Sequence, residues 1–236
     1  MRKFSVFLLA LPLIFFTIGT ANALQLNDVD GTWENVQGTL IYSLDDGVPI
    51  GYGNGDEDQV RWGTGVPNAA LRSGLGFTGI VDTFLPPVIF SEGEVFQIGQ
   101  LRHFNNVILT DTAASAVDLE IFLDFALDDG FFTYTFLIEE TPNIGGPVDD
   151  IITFPDEFPP ETIDLDGIRT LQLLGFGPDS DNIMESFVSE EGFINSTFLW
   201  GKITVPEAVP EPATLLLLGS GLLGLAGIGR KKLLKK

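Results

Sequence analysis

The chain has 236 residues, no cysteine and one histidine, and its 33 Asp and Glu residues far outnumber its 12 Lys and Arg residues. The lack of cysteine excludes a disulfide framework and thiolate chemistry. The negative charge excludes a nucleic-acid-binding role, because such a surface repels phosphate backbones. His103 is the only imidazole, so a multi-histidine metal site is excluded, and no partnered nucleophile for a triad is identifiable. We expect His103 to be used for hydrogen bonding at a strand end.

The first 23 residues have the organisation of a secretory signal peptide. Two basic residues precede the apolar run Phe4–Ile18, and the small residues Ala21 and Ala23 follow it, two positions apart. Signal peptidase reads this pattern, so we predict that residues 1–23 are removed on export, with cleavage after Ala23. The alternative is an uncleaved membrane anchor, which Pro12 within the apolar run disfavours.

Residues 24–204 form the predicted folded domain. Its clearest pattern is Val117–Leu127, where odd positions are apolar and even positions are mostly acidic, as in a strand with one wet face. Asp128-Asp129-Gly130 and the aromatic run Phe131–Glu139 follow, which predicts a hairpin with its turn at Asp128–Gly130. The other predicted strands are Thr39–Leu44, Leu75–Phe84, Val95–Leu101, Asn106–Thr110, Ile151–Phe154, Ile168–Leu174, Met184–Ser189 and Gly192–Val205.

These short strands are joined by turns rich in Gly, Pro and Asp, and the body contains no ten-residue helical stripe. The pattern predicts an all-β fold with a single β-sandwich or jelly-roll-like domain. Residues 205–212 then form a Pro-rich linker, because proline stiffens the chain and cannot join a sheet ladder.

The C-terminal part of the chain has the pattern of a membrane anchor. Residues 213–229 carry no charge, and Arg230, Lys231 and Lys232 open the basic tail 230–236. Such a helix would rise about 25 Å, at the short end of what crosses a bilayer. Basic residues stay on the cytoplasmic side, so we expect a transmembrane helix at 213–229 with the folded domain outside. The segment 24–212 then carries five basic residues against all 33 acidic residues, a formal charge of −28.

The order of Pro210-Glu211-Pro212, a short Leu- and Gly-rich span and a basic cluster resembles the PEP-CTERM sorting signal. The resemblance implies that an exosortase, a membrane cysteine protease, cuts the exported chain near the motif. It also implies a Gram-negative host with a biofilm or exopolysaccharide system. The protein would be anchored in the inner membrane with its body in the periplasm, and would then reach the cell surface or the medium. A plain membrane anchor with a proline boundary is the alternative.

Four stretches of the body resemble the choice-of-anchor K domain, which accompanies such tails. The resemblance implies a single secreted β-rich domain and assigns no catalytic residues. The four stretches are Gly31–Val36, Val60–Gly65, Ser73–Gly79 and Phe96–Asn106.

The acidic turns provide candidate calcium ligands, and calcium is the one cofactor for which the sequence offers any. Each turn places carboxylate or amide oxygens two residues apart, and calcium needs six to eight such oxygens. Asp, Asn and Gly are also good turn formers, and that alternative stays open. The candidate ligands are Asp28, Asp30, Asn54, Asp56, Asp58, Asp164, Asp166, Asp179 and Asp181.

Aromatic residues provide the candidate for ligand binding. Trp62 lies among Arg61, Gly63 and Gly65, and we expect it to be exposed as a sugar contact. The aromatic residues that alternate within predicted strands are instead assigned to the core: Phe125, Phe132, Phe136 and Trp200.

We therefore expect a non-enzymatic surface or extracellular-matrix protein with a structural or binding role. The alternatives are a carbohydrate-binding module for exopolysaccharide and, third, a polysaccharide hydrolase that uses paired carboxylates. The expected partners are signal peptidase, an exosortase, the membrane and exopolysaccharide.

Overall fold

The structure is a computed structural model that describes residues 23–39, 41–44, 57–81, 86–126, 128–141, 148–155, 163–164, 170–204 and Ser220. These residues contain thirteen strands and no other extended regular element. The strands are β1 (Ala23–Gln37), β2 (Tyr42–Leu44), β3 (Asp58–Trp62), β4 (Ser73–Gly79), β5 (Val88–Ser91), β6 (Val95–Phe104), β7 (Ala116–Phe125), β8 (Asp128–Glu139), β9 (Asp150–Thr153), β10 (Ile163–Asp164), β11 (Thr170–Gly177), β12 (Ser186–Ser189) and β13 (Ile194–Thr204).

The strands form two antiparallel sheets, which confirms the predicted all-β class. The six-stranded sheet has the order β12-β9-β8-β7-β1-β5, and the seven-stranded sheet has the order β10-β11-β13-β6-β4-β3-β2. Apolar side chains of both sheets meet in one core, where Leu119 and Ile121 of β7 share the interior with Leu75 and Phe77 of β4. The architecture is that of a β-sandwich.

The β7–β8 hairpin is confirmed, but its turn is not where the Asp-Gly pattern predicted it. Asp129 pairs with Asp124, and Gly130 pairs with Leu123, so both lie inside the ladder. The ladder closes at the pair of Phe125 and Asp128, so the connection comes before the Asp-Gly stretch. The reason is register, because a shift by one residue would turn the apolar positions of both strands away from the core.

Strand β1 is the longest element and was not predicted. Its apolar positions change phase, since Leu24 and Leu26 are buried and then Val29 and Trp33. A register shift between Leu26 and Asp28 marks a β-bulge at this point. The bulge breaks the period of two that sequence patterns rely on.

Other differences concern short elements. Residues 106–110 were predicted as a strand, but among the described residues they make only an isolated bridge between Ile108 and Gly65. Strands β3, β5 and β10 were not predicted. The remaining predicted strands overlap β2, β4, β6, β9, β11, β12 and β13.

Three of the four aromatic residues assigned to the core are buried, namely Phe125, Phe132 and Phe136. The assignment of Trp200 is wrong. Trp200 is only half-buried on the face of β13 opposite Leu199, and its Nε1 donates a hydrogen bond to the Gly177 carbonyl at 2.9 Å.

The predicted terminal segments lie outside the described residues. This holds for the signal peptide apart from Ala23, the linker 205–212, the transmembrane helix 213–229 apart from Ser220, and the basic tail 230–236. Among the residues described, a helix with the length and hydrophobicity that a membrane crossing demands is absent.

Candidate functional site

Strands β3 and β6 direct polar side chains to both faces of the seven-stranded sheet, on either side of β4. Successive side chains of a strand point to opposite faces, so Arg61 and Trp62 of β3 diverge. The same rule separates Arg102 from His103 in β6. The register aligns Arg61 with Gly74 of β4 and Gly74 with Phe104 of β6. Two polar clusters therefore lie back to back across one sheet.

The cluster on the outer face is a charged network in which each charge has a partner. Arg102 forms an ion pair with Glu57, and its Nε lies 2.6 Å from Glu57 Oε1. Gln59 Nε2 donates to Glu57 Oε2 at 2.6 Å, and Gln59 Oε1 accepts hydrogen bonds from Arg61 Nε and Nη2 at 3.1 and 2.9 Å. The Arg61 guanidinium lies 3.2 Å from the centre of the Phe104 ring, a cation–π contact.

Two glycines of β4 make room for this outer network. A Cβ atom at Gly76 would lie 2.2 Å from Glu57 Oε1, and one at Gly74 would lie 2.4 Å from Arg61 Cδ. Both distances are far inside van der Waals contact. The alternating glycines therefore allow the long side chains of β3 to lie across β4.

The cluster on the inner face begins with Trp62 and His103. Both side chains are fully buried, and their rings stack with centroids 6.2 Å apart. Trp62 Nε1 donates a hydrogen bond to Glu140 Oε1 at 2.7 Å. The expectation that Trp62 is an exposed sugar contact is wrong, because β3 directs this side chain toward the opposite sheet.

The opposite sheet contributes two carboxyl groups to the inner cluster. Glu140 follows the last residue of β8, and Asp150 is the first residue of β9. Asp150 is fully buried, and its Oδ1 accepts hydrogen bonds from the Thr141 backbone N–H at 2.8 Å and the Thr141 hydroxyl at 3.1 Å. One ligand atom each of His103, Glu140 and Asp150 lies within 4.8 Å of the other two.

The prediction that His103 is used for hydrogen bonding is wrong for the described part of the chain. Neither of its ring nitrogens has a hydrogen-bond partner there, and neither does Asp150 Oδ2. Asn105 instead bonds to the end of β12 and to the loop that follows, because its Nδ2 donates to the Ser189 carbonyl at 2.9 Å and its backbone carbonyl accepts from Gly192 N–H at 2.8 Å. This loop carries Glu191, which is also buried.

Burial dominates the electrostatics of the inner cluster. Desolvation, followed by the nearby Asp150 carboxylate, raises the pKa of Glu140 to about 8. Burial also raises the pKa of Asp150. Burial and the positive charge of Arg61 lower the pKa of His103 to about 3, so its imidazole is neutral at physiological pH. Ionising both of these adjacent carboxyl groups is therefore unfavourable unless a cation joins them.

The predicted calcium ligands that lie among the described residues do not belong to this cluster. Asp28 and Asp30 lie within strand β1 rather than in a turn, and Asp58 is buried in β3. Asp179 holds a tight turn, where its Oδ1 accepts from Asp181 N–H at 3.0 Å and from the Asn182 side chain at 2.8 Å. Asp164 lies in β10, and Asn54, Asp56 and Asp166 fall outside the described residues.

A second feature is a shallow groove on the solvent face of the six-stranded sheet. The register places Asp30, Phe122 and Phe131 in one row across β1, β7 and β8, with Thr32 and Glu120 in the next. The rings of Phe122 and Phe131 lie 4.7 Å apart, and Phe131 is 64% exposed. These side chains line a groove of about 210 Å³.

The fold and composition together define an acidic all-β domain, and the C-terminal segment shows how it is sorted. Residues 208–231 match the family model of the PEP-CTERM protein-sorting motif. The chain is therefore an exported surface protein that is anchored in a membrane and then processed by an exosortase, a membrane protease. No curated protein matches the sequence significantly.

This match confirms the sorting signal predicted from the sequence. It contains Pro210, Glu211 and Pro212 together with Arg230 and Lys231, and Lys232 follows directly after it.

Proposed function

We propose that the folded domain is a non-enzymatic binding module that attaches to a neutral polysaccharide outside the cell. The observation that carries the proposal is the groove around Phe131. Sugars present apolar C–H faces and rings of hydroxyl groups, so their sites combine an exposed aromatic ring with polar acceptors. Phe131 supplies the ring, and Asp30, Thr32 and Glu120 supply carboxylate and hydroxyl oxygens along the same groove.

The charge of the domain selects among polysaccharides. A segment with a formal charge of −28 repels polymers that carry uronic acids or sulfate. The shallow, open shape of the groove suits a long chain that lies across strands better than a small molecule that must be enclosed. A neutral exopolysaccharide of a biofilm matrix fits both properties.

A binding module of this kind must first reach the outside of the cell, and we propose the following route. Signal peptidase removes residues 1–23, and the helix 213–229 holds the chain in the inner membrane of a Gram-negative cell with the body in the periplasm. The body is proposed to be a choice-of-anchor K domain. This part of the proposal rests on the resemblance of the Gly31–Val36, Val60–Gly65, Ser73–Gly79 and Phe96–Asn106 stretches to that domain.

Cleavage within this route is tested by mass spectrometry of the protein released by its native host. We expect a C-terminal peptide that ends near Pro210–Pro212, because the prolines keep this stretch extended for a protease. A released or surface protein that still ends at Lys236 would contradict processing.

Binding is tested by affinity electrophoresis through gels that contain soluble neutral glucans, galactans or mannans, with alginate as an anionic comparison. We expect at least one neutral polymer to retard the protein, and Phe131→Ala to weaken that affinity about tenfold or more. Phe193→Ala is the matched control, because Phe193 is 58% exposed outside the groove. Equal loss in both variants, or retardation by alginate alone, would contradict the proposal.

A further inference from the structure

Three of the buried polar atoms that lack a hydrogen-bond partner among the described residues belong to the inner cluster. Buried polar groups in proteins are nearly always hydrogen-bonded, because an unsatisfied one costs on the order of 1–3 kcal/mol. Within the part of the chain described, both nitrogens of His103 and Oδ2 of Asp150 have no hydrogen-bond partner. Both side chains are completely shielded from solvent. The cluster is incomplete as it stands.

We propose that His103, Glu140 and Asp150 bind a divalent transition-metal ion, with Zn²⁺ or Mn²⁺ as the chemistry that fits best. One imidazole and two carboxylates form a mixed nitrogen and oxygen donor set, which suits such ions. Calcium and magnesium prefer oxygen ligands alone. Two carboxylates also balance the charge of a divalent ion while the imidazole stays neutral, which removes the cost of burying a net charge.

The ligand atoms lie close enough together to share one metal ion after a limited rearrangement. In a tetrahedral site with bonds of about 2.1 Å, neighbouring ligand atoms lie roughly 3.4 Å apart. The three ligand atoms here lie within 4.8 Å of one another, so binding calls for a contraction of at most about 1.4 Å, which we expect side-chain rotation to supply.

The surrounding residues hold the carboxylates as outer-shell residues of a metal centre do. Trp62 donates to one oxygen of Glu140, and Thr141 donates twice to one oxygen of Asp150. In Asp150 the second oxygen remains available to an ion. Such outer-shell hydrogen bonds fix ligand orientation, and their loss typically weakens metal affinity 10- to 100-fold.

A proton shared between Glu140 and Asp150 is the alternative without metal. That arrangement relieves the repulsion of two carboxylates but leaves both His103 nitrogens unsatisfied, whereas an ion binds one of these nitrogens together with both carboxylates. His103 comes from the seven-stranded sheet and the carboxylates come from the six-stranded sheet. The ion therefore joins the two sheets as a structural centre, and this role does not depend on polysaccharide binding.

The test uses the purified full chain without a histidine tag, stripped with chelator and then titrated with Zn²⁺. We expect one tight Zn²⁺ per chain and a rise of several degrees in the melting temperature at excess Zn²⁺. Asp150→Asn should weaken binding at least 100-fold, and Trp62→Phe should weaken it about tenfold. Asp179→Asn, at an exposed turn, is the control and should leave the Zn²⁺ affinity unchanged.

A spectroscopic measurement on the unmodified chain keeps the proposal testable even where a variant fails to fold. His103 is the only histidine, so coupling of one imidazole nitrogen to bound Cu²⁺ in pulsed electron paramagnetic resonance assigns the ion to this site. We expect that coupling at one equivalent of Cu²⁺. Tight binding without imidazole coupling, unchanged affinity in Asp150→Asn, or no tight binding of Zn²⁺ would each overturn the proposal.

Discussion

The two polar clusters of β3 and β6 lie on opposite faces of the same strands, yet they solve the problem of buried charge differently. On the outer face, Glu57 compensates Arg102, and Gln59 links Glu57 to Arg61. On the inner face, two carboxyl groups meet a neutral imidazole, and no cationic side chain among the described residues pairs with either carboxyl group. The first cluster is complete within the protein, whereas the second needs a proton or a metal ion.

Residues that are adjacent in the sequence belong to different clusters. Arg61 and Trp62 are neighbours, and so are Arg102 and His103, but the alternation of a strand sends each pair to opposite faces. Burial alone therefore does not identify a site. The useful distinction is whether the buried polar atoms find their partners within the fold.

The largest expected effect comes from breaking the complete cluster. Glu57→Ala leaves the largely buried Arg102 without its ion-pair partner, and we expect a loss of about 3 kcal/mol in the free energy of unfolding. Urea denaturation of the purified protein measures this loss. The control Glu185→Ala removes an exposed carboxylate and should change stability by less than about 0.5 kcal/mol. A loss for Glu57→Ala as small as the one expected for the control would show that the outer network does not contribute to stability.

A smaller effect is expected from the pH dependence of the metal-free protein. Glu140 has its pKa raised from 4.5 to about 8, so the folded state binds more protons than the unfolded state between these values and stability falls as pH rises. His103 has its pKa lowered from 6.5 to about 3, so its contribution makes stability rise with pH. This opposite contribution acts mainly below about pH 6.5. Between pH 6.5 and 8 we therefore expect a net loss on the order of 1 kcal/mol.

Urea denaturation at pH 6.5 and pH 8 in the presence of chelator checks this expectation. Glu140→Gln should flatten the dependence, because the amide stays neutral, and saturating Zn²⁺ should abolish or reverse it. Stability that rises from pH 6.5 to 8 in the chelated protein would mean that the two carboxyl groups are not packed together as described.

Local patterns predicted the strands that alternate cleanly and missed those that do not. The apolar and acidic alternation of β7 was sufficient to predict the hairpin with β8, whereas the Asn-Asp-Val-Asp-Gly stretch of β1 resembles a turn and hides a bulged strand. The exposed Phe131 follows from the same alternation, since Phe131 and Phe132 are adjacent and only one of them can face the core.

The inner cluster could be predicted only in part. His103 lies on the same face of β6 as the buried Leu101. Its burial could therefore have been predicted from the alternation if the predicted strand had continued beyond Leu101. Its neighbours in the cluster could not be predicted, because Glu140 and Asp150 are two among 33 acidic residues and come close to His103 only through the packing of the two sheets. The error on Trp62 has the same origin, since neighbouring glycines indicate local freedom and say nothing about which face packs.

The most direct measurement is an anomalous difference map from a crystal of the protein grown with Zn²⁺ and recorded at the zinc absorption edge. We expect a single strong peak between the two sheets, within about 2.3 Å of one His103 nitrogen and of one oxygen each from Glu140 and Asp150. Peaks only at surface carboxylates, with Glu140 and Asp150 in direct hydrogen-bond contact and no density between them and His103, would contradict the metal centre.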